Sequence, residues 1–387
     1  MLSPRLPAHA DTNALSRALD SLRARQVRFI DLTESNPTRS GICYPPGLLE
    51  PLANAGSLRY EPHPFGLRSA REAVGADQRR RGVDVDPAHI VLTASTSEAY
   101  SWLFKLLCSP GDTVLVPQPS YPLFEHLTAL DGVQARSYAL EYHGGWSIDT
   151  SSFAAAPDTT RAVLVVSPNN PTGSYVTKHD LAAVSDVCRQ RGWALIADEV
   201  FADYPLEVTA PVTDVAALAG EVLSFSLAGL SKTVGLPQLK LGWMIVGGPA
   251  SARDAALDSL ELIADTYLSV GTPVQVAASH FFRDGVSVRQ AIHDRVRQNL
   301  AQLRTSASRF PACEVLRVEG GWSAVLRVPA TWREEQVVVD LLEQEHILVH
   351  PGYFFDFPRE AYLVVSLLLP PHVFADAAAR LFGFVSR

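Results

Sequence analysis

Short runs at 89–94, 113–116, 133–140, 162–166, 194–197 and 222–226 are largely apolar, and stretches of helical spacing fill most of the gaps between them. That alternation is the strongest constraint on the fold. A strand with one face in water alternates apolar and polar residues, whereas a strand apolar throughout must be covered on both faces. Strands of the second kind, separated by helices, build a mostly parallel sheet with helices on either side, an α/β fold. In such a sheet ligands gather at the carboxyl ends of the strands. Most of those ends carry a polar motif here. Ser95-Thr96-Ser97 follows the first run, Pro117-Gln118-Pro119-Ser120-Tyr121 the second, Ser167-Pro168-Asn169-Asn170-Pro171-Thr172-Gly173 the fourth and Asp198-Glu199 the fifth.

From residue 255 the pattern changes. A helix over 255–264, a long helix over 286–306, strands over 314–318, 322–328, 347–350 and 362–368, and helices over 334–344 and 372–381 read as an α+β unit. Near the N-terminus, Asp11 or Thr12 can cap a helix with Leu15, Leu19 and Leu22 on its apolar face, ahead of a strand over 27–32. We expect a large domain over 46–276 and a smaller α+β domain made of 1–45 and 277–387.

The composition, 47% hydrophobic and 19% charged, suits a globular enzyme. A net charge of -8 without a dense basic block is not the profile of a nucleic-acid binder. Cys43, Cys108, Cys188 and Cys313 lie far apart with no metal-ligand spacing, which predicts reduced thiols, no metal and a cytoplasmic location. The polar start lacks a signal core, and no apolar run approaches the ~18 residues needed to span a membrane.

The last run leads into Ser224-Phe225-Ser226-Leu227-Ala228-Gly229-Leu230-Ser231-Lys232-Thr233-Val234-Gly235-Leu236-Pro237. A lysine in a small-residue turn between two apolar strands has two readings. It is a solvated loop residue, or its amine is desolvated, its pKa lowered, and so nucleophilic toward an aldehyde. Neighbouring strand ends favour the second. Ser95-Thr96-Ser97 at a helix start offers amides and hydroxyls to a phosphate. Asp198 can face a cationic ring nitrogen, Asn170 a ring hydroxyl, and Tyr121 a ring plane. A phosphorylated ring with a basic nitrogen, a hydroxyl and an aldehyde is pyridoxal phosphate.

With these motifs in this order, the chain resembles the fold type I pyridoxal-phosphate enzymes, specifically the class I/II aminotransferases of the aspartate aminotransferase superfamily, over nearly its whole length. The resemblance rests on Ser167 to Gly173, on Asp198-Glu199-Val200, on Gly229-Leu230-Ser231-Lys232, and on Gly235-Leu236-Pro237 with Leu241-Gly242-Trp243 beyond it. It implies that Lys232 forms the Schiff base and then shuttles the proton, and that Asp198 keeps the ring nitrogen protonated. It also implies that Asn170 bonds the ring hydroxyl, that Tyr121 stacks on the ring, and that Ser95, Thr96 and Ser97 hold the phosphate. Tyr60 matches a tyrosine that reaches the phosphate of a partner subunit, which implies a homodimer with shared sites. The substrates implied are an amino donor, whether amino acid or amine, and a keto-acid acceptor.

Four positions depart from the family. Lys240 stands where an arginine usually binds the phosphate, and Gly229 where a serine often does, leaving Ser231 or Ser226 to compensate. Phe201 replaces a tyrosine that donates to the ring hydroxyl and keeps the pKa of the lysine–cofactor linkage low, so a raised value is expected. Val364 replaces the arginine that holds the substrate carboxylate. Arg39 and Arg359 are candidates to substitute for it, and together with Asn36 and Tyr353 they are the expected substrate-binding residues. The missing arginine also keeps open a lyase, decarboxylase or other non-transaminating reaction on the same cofactor. A non-catalytic binding module of the same fold fits poorly with an intact lysine, aspartate and asparagine set.

Overall fold

The structure, a computed structural model, describes residues 3, 5–6, 13–207, 220–331 and 333–387. Chain order runs α1 (Ala14–Ala24), β1 (Ile30–Asp31), α2 (Arg68–Arg80), β2 (Ile90–Thr93), α3 (Thr96–Leu107), β3 (Thr113–Gln118), α4 (Phe124–Leu130), β4 (Gln134–Tyr142), β5 (Trp146–Ile148), β6 (Thr160–Val166), α5 (Lys178–Arg191) and β7 (Ala194–Asp198). It continues with β8 (Ser224–Gly229), the one-turn α6 (Leu230–Thr233), β9 (Gly242–Gly247), α7 (Ala250–Tyr267), α8 (Thr272–Val276), α9 (Ala278–Asp284) and α10 (Val286–Ala307). The last elements are β10 (Glu314–Val315), β11 (Ser323–Arg327), α11 (Glu334–Glu345), β12 (Ile347–Leu348), β13 (His350–Pro351), β14 (Tyr362–Ser366) and α12 (Pro371–Val385).

The large sheet has the order β2-β9-β8-β7-β6-β3-β4-β5. Neighbours from β8 to β4 are parallel, while β9 and β5 run antiparallel to theirs. Successive residues of one strand enter different cores. On β6, Ala162, Leu164 and Val166 pack with Trp102 of α3 and Leu260 of α7, whereas Val163 and Val165 pack with Leu181, Val184 and Cys188 of α5. Two covered faces are why these runs show no polar alternation. A four-stranded antiparallel sheet, β10-β11-β14-β13, presents Leu363 and Val365 to α10 and α12 on one face. β1 pairs in parallel with β12 and ties the N-terminal segment to this region.

Several expected bounds shift. The 27–32 strand shortens to two residues. The 347–350 run splits between two sheets. The helix expected over 255–264 extends through Tyr267 and absorbs Asp265-Thr266-Tyr267. β14 runs to Ser366, whose amide turns to the Leu32 carbonyl, while the Leu367 amide still meets the Trp322 carbonyl in register with β11. Asn13 caps α1, accepting from Ser16, while the expected caps Asp11 and Thr12 lie outside the described residues. Among the described residues no helix is long and apolar enough to cross a membrane.

Candidate active site

Strands β3, β6, β7 and β8 point the same way, and so does β2 through the antiparallel β9. Their carboxyl ends therefore meet along one edge. At the end of β8 the chain closes α6, with the Leu230 amide bonded to the Leu241 carbonyl at 2.9 Å. The expected turn around Lys232 is thus a helical turn, held from outside by the Tyr204 hydroxyl, which donates to the Lys232 carbonyl at 2.6 Å. Gly235 is required here. It has φ +66°, and a Cβ would lie 2.9 Å from Ile292 Cδ1. Gly229 has a packing cause as well, since a Cβ would sit 3.1 Å from the Leu241 carbonyl oxygen on the antiparallel neighbour.

The Lys232 amine lies 4.6 Å from the Trp322 ring centroid and 5.2 Å from that of Phe201. Burial drives its pKa down from 10.5 to about 8, partly opposed by the charge of Asp198. A lysine in this state is neutral in a sizeable fraction of molecules near pH 8, as a nucleophile requires. Phe201 offers a ring face where a tyrosine would offer a hydroxyl.

Asp198 ends β7 and is buried. Burial raises its pKa. The Tyr100 hydroxyl donating to Oδ2 at 2.6 Å, the Val200 amide donating to Oδ1 at 3.1 Å, and the Lys232 charge oppose that rise. Next to it, the buried Glu199 accepts from the Ser226 hydroxyl and lies 3.9 Å from Arg81. Ser226 is therefore taken, and of the two serines proposed to offset Gly229 only Ser231, half-buried beside Lys232, is left.

The two adjacent asparagines divide their work. Asn169 accepts from Ser120 at 2.7 Å and donates to the Pro119 carbonyl at 3.1 Å and to Thr172 at 2.9 Å. Asn170 meets only Ser323 at 3.4 Å among the described residues, which leaves its amide available to a ligand.

At the start of α3, the N-cap Ser95 accepts from the Glu98 amide, and the Glu98 side chain reaches back to accept from the Ala94 amide, one residue before the cap. The Thr96 and Ser97 amides have no intrahelical acceptor and suit an anion. Tyr121 stands in the β3–α4 loop, 44% exposed, close enough to Asp198 for that charge to push its phenol pKa up alongside burial. Lys240 is exposed with left-handed φ +50°, and Tyr60 is 75% exposed.

Across the cleft, Ser323 and Val325 of β11 stand opposite Ser366 and Val364 of β14, so the four side chains share one face of the small sheet. That face looks at the cofactor loops, because Ser323 reaches Asn170 and the Ser120 amide donates to the Phe355 carbonyl at 3.1 Å. Val364 itself is buried among Trp146, Leu316, Val325, Phe355 and Phe357. Trp146 arrives from the β4–β5 hairpin. The expected substrate-binding residues are placed as follows. Asn36 caps its own turn through Thr38, Arg39 pairs with Glu34 at 3.3 Å, and Arg359 is exposed. The Tyr353 amide is bound to the buried Glu334, which also accepts from the Tyr362 amide and so pins both ends of the aromatic loop.

A family model for class I and II aminotransferases matches residues 48–379. The chain belongs to this family. It is a pyridoxal-phosphate-dependent aminotransferase. Among curated relatives, a glutamate-pyruvate aminotransferase of Haemophilus influenzae is 26% identical, with 93% of this chain and 91% of that protein aligned. An alanine aminotransferase of Mycobacterium tuberculosis is 28% identical over 94% of this chain and 87% of its own. Among solved structures, an alanine aminotransferase from Pyrococcus furiosus covers 100% of the chain and 99% of its own at TM-score 0.89 and 23% identity, which bears on the fold.

The residues present fit the cofactor. A buried carboxylate keeps unused lone pairs, two helix-start amides lack acceptors, and an amine with lowered pKa stands beside an uncommitted asparagine amide. When bound, pyridoxal phosphate supplies an aldehyde for covalent capture of the amino group and a protonated ring that withdraws electrons from the substrate Cα.

The sequence reading missed Tyr100 and Asn169. For Asn169 the doubled asparagine was a visible signal, but for Tyr100 only its spacing of five residues from Ser95 was available.

Proposed function

We propose that Lys232 is the amine that captures the cofactor aldehyde and later carries the proton to and from the substrate Cα. Asp198 faces the ring nitrogen, Asn170 the ring hydroxyl, and Tyr121 the ring plane. The Thr96 and Ser97 amides hold the phosphate, helped by Ser95, Ser231 and Lys240. Tyr60 acts from a second copy of the chain in a cytoplasmic homodimer, which accounts for so exposed a tyrosine. In this reading residues 46–276 carry the cofactor, while 1–45 and 277–387 form the part that covers the substrate.

The observation carrying this reading is the half-buried Lys232, whose amine stands against two rings, with its pKa brought to about 8 and the Asp198 charge opposing the drop. No arrangement for a surface lysine needs that cost.

The relatives' names point to alanine and glutamate as donors. The apolar setting of Val364 offers no cation to the α-carboxylate that both donors carry, so it does not choose between them. Absorbance titration of the purified protein with alanine, glutamate and a simple amine tests this. Bleaching of the visible band by alanine and by glutamate, reversed by the matching keto acid, is expected, with no response to the simple amine. Response to the simple amine alone would sink the donor assignment, and an unchanged visible band with its pH dependence in Lys232→Ala would sink the assignment of the lysine.

A further inference from the structure

Tyr100 lies on the second turn of α3, 3% exposed, edge-on to Phe124 at 5.5 Å and stacked against Phe104 at 6.2 Å. Its ring is held by packing, so the position of its hydroxyl is held too, 2.6 Å from Asp198 Oδ2. We propose that Tyr100 is a positioning residue that keeps Asp198 ionised and turned toward the cofactor's ring nitrogen, so that the protonation of the ring is governed in part from α3. This rests on the assignment of Asp198 given above.

The direction of the hydrogen bond carries the argument. Burial and the adjacent carboxylate push the Tyr100 phenol well above its ordinary pKa, so it keeps its one proton and can only donate to Oδ2. The Val200 amide donates to Oδ1 at 3.1 Å. With a donor at each oxygen, a proton on Asp198 would face one of them, and the neutral acid is disfavoured. Among the described residues three titratable groups face this carboxylate: Tyr100 from α3, Tyr121 from the loop before α4, and Lys232 from α6. Glu199 is turned away to Ser226 and Arg81. The help from Lys232 is lost as its amine deprotonates near pH 8, whereas that from Tyr100 persists across the working range.

Tyr100→Phe removes one oxygen and keeps the packed ring. Asp198 then becomes a weaker acid, so a larger fraction is neutral at low pH and the loss is greatest there. The affinity of the cofactor-free protein for pyridoxal phosphate, measured by absorbance titration from pH 6 to 9, reads this directly. Tyr100→Phe should raise the Kd about tenfold at pH 6, converging on the wild-type value by about pH 8.5, the scale of one hydrogen bond to a charged group. The acid limb of the kcat/KM profile should move to higher pH in step.

Tyr138→Phe is the control. That phenol, on β4 of the large sheet, is equally buried but donates to the Leu164 carbonyl at 2.9 Å, so its loss should lower Tm and leave the Kd ratio flat with pH. Asp198→Asn should weaken binding at every pH. If Asp198→Asn weakens binding while Tyr100→Phe behaves like Tyr138→Phe, the inference about Tyr100 is overturned. If Asp198→Asn leaves the Kd unchanged, the assignment of Asp198 falls and the inference falls with it.

Discussion

The two walls of the cleft are built on opposite terms. The wall formed by the ends of β3, β6, β7 and β8 buries polar groups and meets each with a partner: Asp198 has two donors, Asn169 three partners, and Glu199 a serine and an arginine. The wall formed by β11 and β14 is apolar around Val364. A buried polar network fixes geometry, because shifting any member strands the others without hydrogen bonds. An apolar wall is less exacting about position and stricter about charge, because it offers an ion nothing. The cofactor side is thus specified by what it binds, and the substrate side by what it turns away.

Lys232→Ala breaks the first wall at its reacting atom. Transamination should fall on the order of 10⁴-fold or more, as with loss of other covalent catalysts, and steady-state assay of alanine with a keto acid checks it. Lys232→Met removes the titrating amine from the cofactor-free protein. The folded pKa of about 8 lies below the unfolded 10.5, so between these values the unfolded chain binds a proton that the folded chain does not. Stability should rise with pH through that window by up to about 3 kcal/mol, and the penalty is complete below pH 8. Denaturant titrations at pH 7.5 and 10.5 should show the rise in wild type and lose it in Lys232→Met.

Val364→Arg tests the second wall. Placing a guanidinium among Trp146, Phe355 and Phe357 should cost about 3 kcal/mol or more through overpacking and an unpaired buried charge. A variant that is as stable as wild type and gains activity toward glutamate would mean that this face is open to ligand, and the contrast between the walls would dissolve. Asn169→Ala should be the milder injury, about 2 kcal/mol by denaturant unfolding. It leaves the Pro119 carbonyl without its side-chain donor, and Ser120 and Thr172 lose a partner each. If its main effect were on catalysis rather than stability, Asn169 and Asn170 would have exchanged roles.

This contrast was half legible in the sequence. The cofactor wall shows because strand ends are set by local pattern. Runs such as 162–166 and 194–197 stop at polar residues, and a parallel sheet brings those stops to one edge. The buried partners do not show, since Tyr100 reads as another core aromatic of α3 until its hydroxyl is seen to reach Asp198 at the end of β7. The valine at position 364 was visible, but its setting was not. Trp146 follows a Gly144-Gly145 hairpin turn that is visible in the sequence, but nothing local says what its ring packs against, and Phe355 and Phe357 come from a loop pinned by Glu334 through backbone amides that sequence does not expose. Contacts distant in sequence made through main-chain groups leave no residue pattern to read.

The smallest expected effect lies where the walls meet. Phe201, on the cofactor side, packs edge-on against Trp322 at 5.3 Å, and the Lys232 amine sits against both rings. Ring faces favour a cation without offering a hydrogen bond to the cofactor's hydroxyl. A phenol at this position would add that donor and stabilise the ring oxygen as an anion, which lowers the pKa of the lysine–cofactor linkage. Phe201→Tyr should therefore shift the midpoint of the visible absorbance change downward by about one unit, the worth of one hydrogen bond to a charged acceptor. The edge contact with Trp322 uses the ring rather than the para position, so Tm should move little. A midpoint that stays put would mean that the para position of residue 201 does not reach the cofactor, and that the Trp322–Phe201 pair shapes the amine alone.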